Sequence, residues 1–270
     1  MDRVDPEKSF KRLCREVVVW KHLSHPNILP LLGVSFPANP HRFRVLTEWM
    51  PNGNIMQYAK SNRTANRLQL LSEVMSGVTY FHDLGIVHAD IKGANILVDD
   101  MGVARVADFG LMTITDLTAT FLSEPGDSGG GTWSRMSPEL LNPKDFGSDG
   151  RPTRESDCYA LGMLIYEFLT GLRPFPHVQA PPLILAILDG VRPEKPPHAE
   201  SFGFSDTLWG LLQSCWSERS STRPTAGELL DHIVSISPSW IPPTVYPAVM
   251  TDIAASNLPN SLSATLSHLT

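Results

Sequence analysis

Asp90, Lys92 and Asn95 lie close together in the run His88-Ala89-Asp90-Ile91-Lys92-Gly93-Ala94-Asn95, and Asp108 follows thirteen positions after Asn95. Asn95 and Asp108 offer two hard oxygen donors, an amide carbonyl and a carboxylate, which suit Mg2+. That ion keeps several waters and completes its shell with substrate phosphates, so a sparse protein cage is the expected arrangement. Beside a metal-bound phosphate, a second carboxylate such as Asp90 can accept or orient a hydroxyl proton, and Lys92 can offset charge on a group in transfer. Together these residues imply phosphoryl transfer. Taken singly, Asp90 reads as a turn or cap residue. Its spacing to Asn95 and Asp108 carries the catalytic reading.

The elements around these residues must bring them together. Ile96-Leu97-Val98 and Val103-Ala104-Arg105-Val106 predict two short strands joined by Asp99-Asp100-Met101-Gly102, a hairpin whose paired outer ends bring Asn95 and Asp108 to one mouth. Upstream, Asp5 can cap a helix, Pro6 suits its first turn, and Phe10, Leu13, Val17 and Trp20 recur at helical spacing to about Leu23. Ser24-His25-Pro26-Asn27 breaks it, and Ile28 to Phe36 and Phe43 to Trp49 predict neighbouring antiparallel strands. After Pro51-Asn52-Gly53-Asn54 the pattern turns helical, most clearly from Asn66 to Leu84, where Leu68, Leu71, Val74, Met75, Val78 and Phe81 form an apolar stripe. Ala160 to Leu172 is apolar nearly all round, as a helix at a domain centre must be, and Thr225-Ala226-Gly227-Glu228 is a capping box opening a last helix. The folded part is expected to end near Ser235. Beyond Ser237 come five prolines, many small polar residues and a single charged one, Asp252, which predicts a disordered tail.

Composition narrows the function classes. With 270 residues, 42% hydrophobic and 19% charged, the chain can bury a substantial core in one large domain or two small ones. Its 28 acidic against 22 basic residues, net −6, exclude the basic footprint of a nucleic-acid binder. Cys14, Cys158 and Cys215 stand far apart, which fits buried thiols in a reducing compartment and no disulfide or zinc framework. The N-terminus opens charged, and the apolar run at Ala160 is too short for a bilayer and contains Glu167, so no membrane span and a cytoplasmic location are expected.

From about residue 5 to 236 the sequence resembles a eukaryotic protein kinase. His88-Ala89-Asp90 with Asn95 five positions on follows the catalytic-loop pattern, and Asp108-Phe109-Gly110 matches the metal-binding Asp-Phe-Gly. Ser137-Pro138-Glu139 stands where the family has Ala-Pro-Glu. Ser156 to Gly162 resembles the start of the central large-lobe helix, and Arg223-Pro224-Thr225 the late arginine. The resemblance implies an α+β, protein kinase-like fold. Its large lobe, residues 51–236, would be mainly helical, its small-lobe part, residues 1–50, would hold one helix and about two antiparallel strands, and a tail would follow at 237–270. It implies ATP and Mg2+ as cofactors, with Asp90 as catalytic base or hydroxyl orienter, Lys92 as phosphate contact, and Asn95 and Asp108 as metal ligands. Thr47 becomes the gatekeeper, and Glu48, Trp49 and Met50 the hinge that meets adenine. The resemblance also makes Asp157 the brace of the catalytic loop and pairs Glu139 with Arg223. It stacks His88 and Phe109 in a spine with Trp20 and Leu32. Lys92, the His-Pro-Asn turn and the Gly93-Ala94-Asn95-Ile96-Leu97 run resemble the tyrosine-kinase-like branch of serine/threonine kinases. The implied activity is transfer of the γ-phosphate of Mg-ATP to Ser/Thr hydroxyls, with a protein substrate or regulatory protein as partner.

Two departures bear on activity. The sequence holds no Gly-x-Gly-x-x-Gly and no lysine-bearing strand ahead of the helix, and Gly129-Gly130-Gly131 lies in the activation-segment region with no strand to aim it at a phosphate. Loss of one preorganised charge-stabilising donor costs about 10²–10³ in rate. Glu16, in the position of the family's helix glutamate, therefore reads equally well as a solvent-facing charge. The second departure is Ala89, in place of an arginine that in many kinases grips an activation-segment phosphate, so switching by such a phosphate is not expected. Thr132 is the hydroxyl singled out in that segment. The alternative reading is a catalytically impaired, pseudokinase-like interaction module or a truncated kinase fragment. An open apolar edge around Phe10 to Trp20 predicts marginal stability or self-association.

Overall fold

Trp20 fastens the first helix to the segment that leads into the sheet. The helical residues 17–21 (α1) end in a tighter turn in which His22 and Leu23 donate to the carbonyls of Val19 and Trp20, and the Trp20 indole N–H donates to the Leu29 carbonyl at 2.6 Å. The computed structural model describes residues 17–35, 44–108, 113–114, 133–175, 181–197, 199–202 and 204–237. The expectations for Glu16, Phe109, Cys14, Thr132, the glycine run and the tail beyond residue 237 lie outside these.

The two predicted small-lobe strands are present but shorter. β1, Leu31–Ser35, pairs antiparallel with β2, Arg44–Thr47. Ile28 and Leu29 belong elsewhere, because the Asn27 carbonyl accepts from Val106 N at 2.9 Å and Leu29 N donates to the Val106 carbonyl at 2.9 Å, a parallel bridge to the later hairpin. Pro30 has no N–H to continue that bridge, so the chain leaves it before β1 begins. A register irregularity between Leu31 and Gly33 corrects the placing of Leu32 in a buried spine: Leu32 is 62% exposed, while Leu31 packs against the core.

Asn54 opens α2, Ile55–Ser61, through a reciprocal capping box with Gln57. Asn66 caps α3, Arg67–Asp83, by accepting from Gln69 N. The short strands β3, Ile86–Val87, and β4, Ile96–Val98, follow, and β4 pairs antiparallel with β5, Ala104–Val106, with Ile96 opposite Val106. β5 starts one residue later than predicted because the Asp99 carboxylate takes the N–H groups of both Met101 and Val103 in the turn. A pairing not anticipated joins β3 to β6, Thr113–Ile114. Two residues a side are too few for any alternation to register in the sequence.

α4, Pro138–Leu141, leads to α5, Arg154–Thr170, which is buried nearly all round. Its start precedes the apolar run at Ala160, because Thr153 and Ser156 form a capping box, and it ends at Gly171 in left-handed conformation, φ 71°. α6, Pro182–Leu188, α7, Asp206–Cys215, and α8, Ala226–Ile236, complete the helical part. α3 packs on α8 and β5, and α7 packs on α5. Close approach demands glycine at the α5–α7 contact, since a Cβ at Gly162 would stand 2.7 Å from Cys215 Cβ. Among the described residues no helix is long and apolar enough to cross a membrane.

Candidate active site

Asp157 lies in the first turn of α5, is 1% exposed, and gathers three donors. It accepts the backbone N–H of His88 at 2.8 Å and of Ala89 at 2.9 Å, and its Oδ2 meets His82 Nε2 at 3.0 Å. These contacts hold Ala89 at φ 68°, a left-handed conformation that costs an alanine energy. His88 Nδ1 accepts from Asp90 N at 3.2 Å, which puts the ring proton on Nε2, facing the Ala107 carbonyl at 3.1 Å. The imidazole thereby joins the loop to the strand end before Asp108, a packing and positioning duty.

The side chains of Asp90, Lys92 and Asn95 converge. Asp90 Oδ2 accepts from Lys92 Nζ at 2.6 Å and from Asn95 Nδ2 at 2.9 Å, and the same Nδ2 donates to the Asp90 carbonyl at 2.9 Å. With its amide hydrogens turned to Asp90, Asn95 presents Oδ1 as its remaining acceptor. Gly93 sits between them against α2, where a Cβ would meet Met56 Cγ at 2.6 Å. This close approach holds the loop against α2.

The hairpin extends its ladder by one rung, Ala107 N to the Asn95 carbonyl at 2.8 Å, so the next residue, Asp108, stands at the same mouth as Asn95. Asp108 is exposed and left-handed, φ 61°. Among the described residues no three His, Cys, Asp or Glu side chains gather as a metal cluster. One amide oxygen and one carboxylate form a donor set that suits Mg2+ retained mainly by water and substrate phosphates.

Thr47 ends β2 and is half-buried, Glu48 is exposed, Trp49 is 86% exposed and Met50 is buried. The strand thus leads into an accessible stretch. That stretch is anchored beyond Met50 by Gly53 N to the Met50 carbonyl and by Val98 N to the Gly53 carbonyl.

Arg223 and Glu139 form a two-pronged pair, Nη1 to Oε1 at 2.6 Å and Nη2 to Oε2 at 2.8 Å, and Arg223 Nη1 also donates to the Glu155 carbonyl at 3.0 Å. Burial works to raise the Glu139 carboxyl, yet the hydrogen bond and charge of Arg223 overrule it and hold it below the ordinary glutamate value. The guanidinium of Arg223 lies 5.1 Å from the centre of the Tyr159 ring, whose hydroxyl burial pushes up to about 12. The sequence reading missed His82 as a partner of Asp157. Both are ordinary residues at unrelated spacing, and only the crossing of α3 and α5 brings them together.

The sequence profile of the protein kinase domain matches residues 1–234 of this chain. The chain belongs to the protein kinase family. This kinase domain is 27% identical over 238 residues to the serine/threonine-protein kinase STY46 of Arabidopsis thaliana, covering 86% of the chain and 38% of that protein. It is 30% identical over 229 residues to the serine/threonine/tyrosine-protein kinase HT1 of the same plant, covering 82% and 53%. Against the cytokinesis protein sepH of Aspergillus terreus the identity is 32% over 231 residues, covering 84% and 16%. The chain therefore spans about half or less of the length of these relatives. A protein kinase domain takes ATP as its phosphoryl donor.

Proposed function

We propose that this kinase domain transfers the γ-phosphate of ATP to serine and threonine hydroxyls of protein substrates. Asp90 accepts or orients the hydroxyl proton, Lys92 contacts the transferring phosphate, and Asn95 and Asp108 hold Mg2+. The observation that carries the reading is the Asp90 carboxylate, which Lys92 at 2.6 Å and Asn95 at 2.9 Å fix in one orientation. Held in this way, it needs no rearrangement when a hydroxyl arrives. Mg2+ would neutralise charge on the phosphates. The backbone from Thr47 through Glu48 to Met50 is the proposed adenine contact, residues 1–50 the small-lobe part and 51–236 the large lobe. Ser/Thr specificity rests on Lys92 two positions after Asp90 and on the serine/threonine kinases among the relatives.

The test is phosphate transfer from Mg-ATP to casein by the 270-residue chain, beside Asp90→Asn. Transfer is expected to fall by about 10²-fold or more in the variant. Equal background in both overturns the reading and favours a binding module. That second reading draws on a specific feature, the apolar side chains Val18, Leu32 and Leu46, which are 58%, 62% and 49% exposed on the small-lobe part. We propose that this face mediates self-association, and that the domain works in the cytoplasm, where Cys158 and Cys215 stay free and buried.

A further inference from the structure

Three successive residues beyond Met50 are laced to the β4–β5 hairpin. The Asn52 side-chain amide donates to the Asp99 carbonyl at 2.5 Å, the Gly53 carbonyl accepts from Val98 N at 2.9 Å, and Asn54 bridges antiparallel to Leu97. The second and third of these are backbone pairings that many residue types could make. The first depends on a side chain, and its acceptor belongs to a residue that the hairpin turn holds fast. Asp99 is buried, and its Oδ1 accepts from Met101 N at 3.0 Å and Val103 N at 2.9 Å. Its Oδ2 accepts from Arg105 Nε at 3.0 Å and Nη2 at 2.9 Å, and its carbonyl also takes Gly102 N at 3.1 Å. A buried carboxylate with four donors, two of them from a guanidinium, fixes the turn, so Asn52 is fastened to a rigid point.

Asn95 and Asp99 flank β4, about 13 Å apart at 3.3 Å per residue. At one end Asn95 donates to Asp90, and Asp108 stands at the same mouth. At the other end the chain that leaves Thr47–Met50 is tied down, and the bond from Gly53 N to the Met50 carbonyl at 3.1 Å carries that fixing back to Met50. One short strand therefore sets the distance between the Asn95–Asp108 mouth and the stretch that ends at Met50. We propose that Asn52 is a positioning residue for the base of the nucleotide. Through Asp99 it holds the exit of the 47–50 stretch at a fixed separation from Asn95 and Asp108, so that base and phosphates are seated together. The inference rests on the ATP reading proposed above, with its adenine contact, and its test is separable from phosphate transfer.

The experiment compares the full chain with Asn52→Ala and with Asn52→Asp, which sets a carboxylate against the Asp99 carbonyl. Asn66→Ala, which removes the cap of α3, serves as a control for loss of stability elsewhere. Equilibrium binding is read for three probes: Mg-ATP, adenosine, and Mg-tripolyphosphate, which has phosphates and no base. Both Asn52 variants are expected to weaken Mg-ATP and adenosine by the same factor, about tenfold, and to leave tripolyphosphate unchanged. The control is expected to lower the melting temperature and leave all three affinities as they are. The proposal is overturned if the Asn52 variants lose only melting temperature, which is the mark of a structural brace. It is equally overturned if tripolyphosphate weakens in step with Mg-ATP, or if the parent chain binds neither Mg-ATP nor adenosine. Adenosine binding that depends on Asn52 in a chain without transfer to casein would uphold the residue and sink the proposed reaction. Transfer by the parent with Mg-ATP affinity indifferent to Asn52 would do the reverse.

Discussion

The carboxylate of Asp157 accepts the backbone N–H groups of both His88 and Ala89, at 2.8 and 2.9 Å, from a position 69 and 68 residues away in the chain. Two adjacent N–H groups aimed at one buried carboxylate fix the direction in which the loop leaves β3, and hence where Asp90 stands. Asparagine at 157 keeps one acceptor and sets an amide donor against the other N–H. Asp157→Asn is expected to cost about 1–3 kcal/mol for each N–H left without an acceptor. The loss is measurable by urea denaturation, and exchange should quicken at His88 and Ala89 first. Unchanged stability together with unchanged exchange would show that the contact does not hold the loop.

Ala89 sits at φ 68°. A left-handed conformation costs an L-residue roughly 1–2 kcal/mol, and glycine escapes that cost while losing about 0.5–1 kcal/mol of chain entropy. Ala89→Gly is therefore expected to be neutral or stabilising by up to about 1 kcal/mol. Ala89→Val, branched at Cβ, should destabilise clearly. Equal losses for the two in denaturant melts would count against strain at this position.

The pH dependence of stability should carry the mark of Glu139. Its folded carboxyl titrates below the ordinary 4.5, so the pair contributes in full above that pH, and the contribution is lost as pH falls from 4.5 through the folded value. Glu139→Gln leaves the Arg223 guanidinium buried without its countercharge, at an expected cost of about 3–5 kcal/mol at neutral pH. The variant should also show a flatter fall in melting temperature below pH 4.5. Asp206 and Glu228 are lowered too, by Lys195 and by Thr225, but both are fully exposed and present in parent and variant alike. Parallel pH profiles for parent and variant would refute the assignment.

Among the described residues, Leu32 and Leu46 stand exposed on the paired strands β1 and β2, and Val18 stands exposed on α1. Two-stranded sheets are marginal alone, and unpaired strand edges invite partners. Sedimentation of the chain is expected to show concentration-dependent association that Leu32→Lys and Leu46→Lys weaken. A monodisperse monomer across the accessible concentration range would dispose of the idea.

Much of the fold was legible because its signals are local. The capping box at Thr225 and Glu228, the stripe from Leu68 to Phe81 and the turn of the β4–β5 hairpin all depend on residues within a few positions of one another. Where the reading slipped, a distant partner had intervened. Ile28 and Leu29 carry the apolar pattern of a β1 continuation, yet they bridge to Val106 because the carbonyl of Asn27 meets the N–H of that residue. The apolar run at Ala160 did not mark the start of α5, because the first turn is polar, with Asp157 facing the loop that carries Asp90 and Ser156 the helix cap, and only the family resemblance put the start near Ser156.

By itself, the sequence determined the family, through its resemblance to protein kinases, and the candidate chemistry of Asp90, Lys92, Asn95 and Asp108, whose types at those spacings suit phosphoryl transfer. Tertiary structure alone decided that Asp157 shares its carboxylate among His82, His88 and Ala89, that Leu31 rather than Leu32 packs inward, and that Arg135 meets Glu167. Each of these joins groups whose separation along the chain says nothing of their distance in space. They form only when the burial of α5 brings the ends of several segments against one helix, where desolvation makes each unpaired polar group costly and so selects the partners that remain.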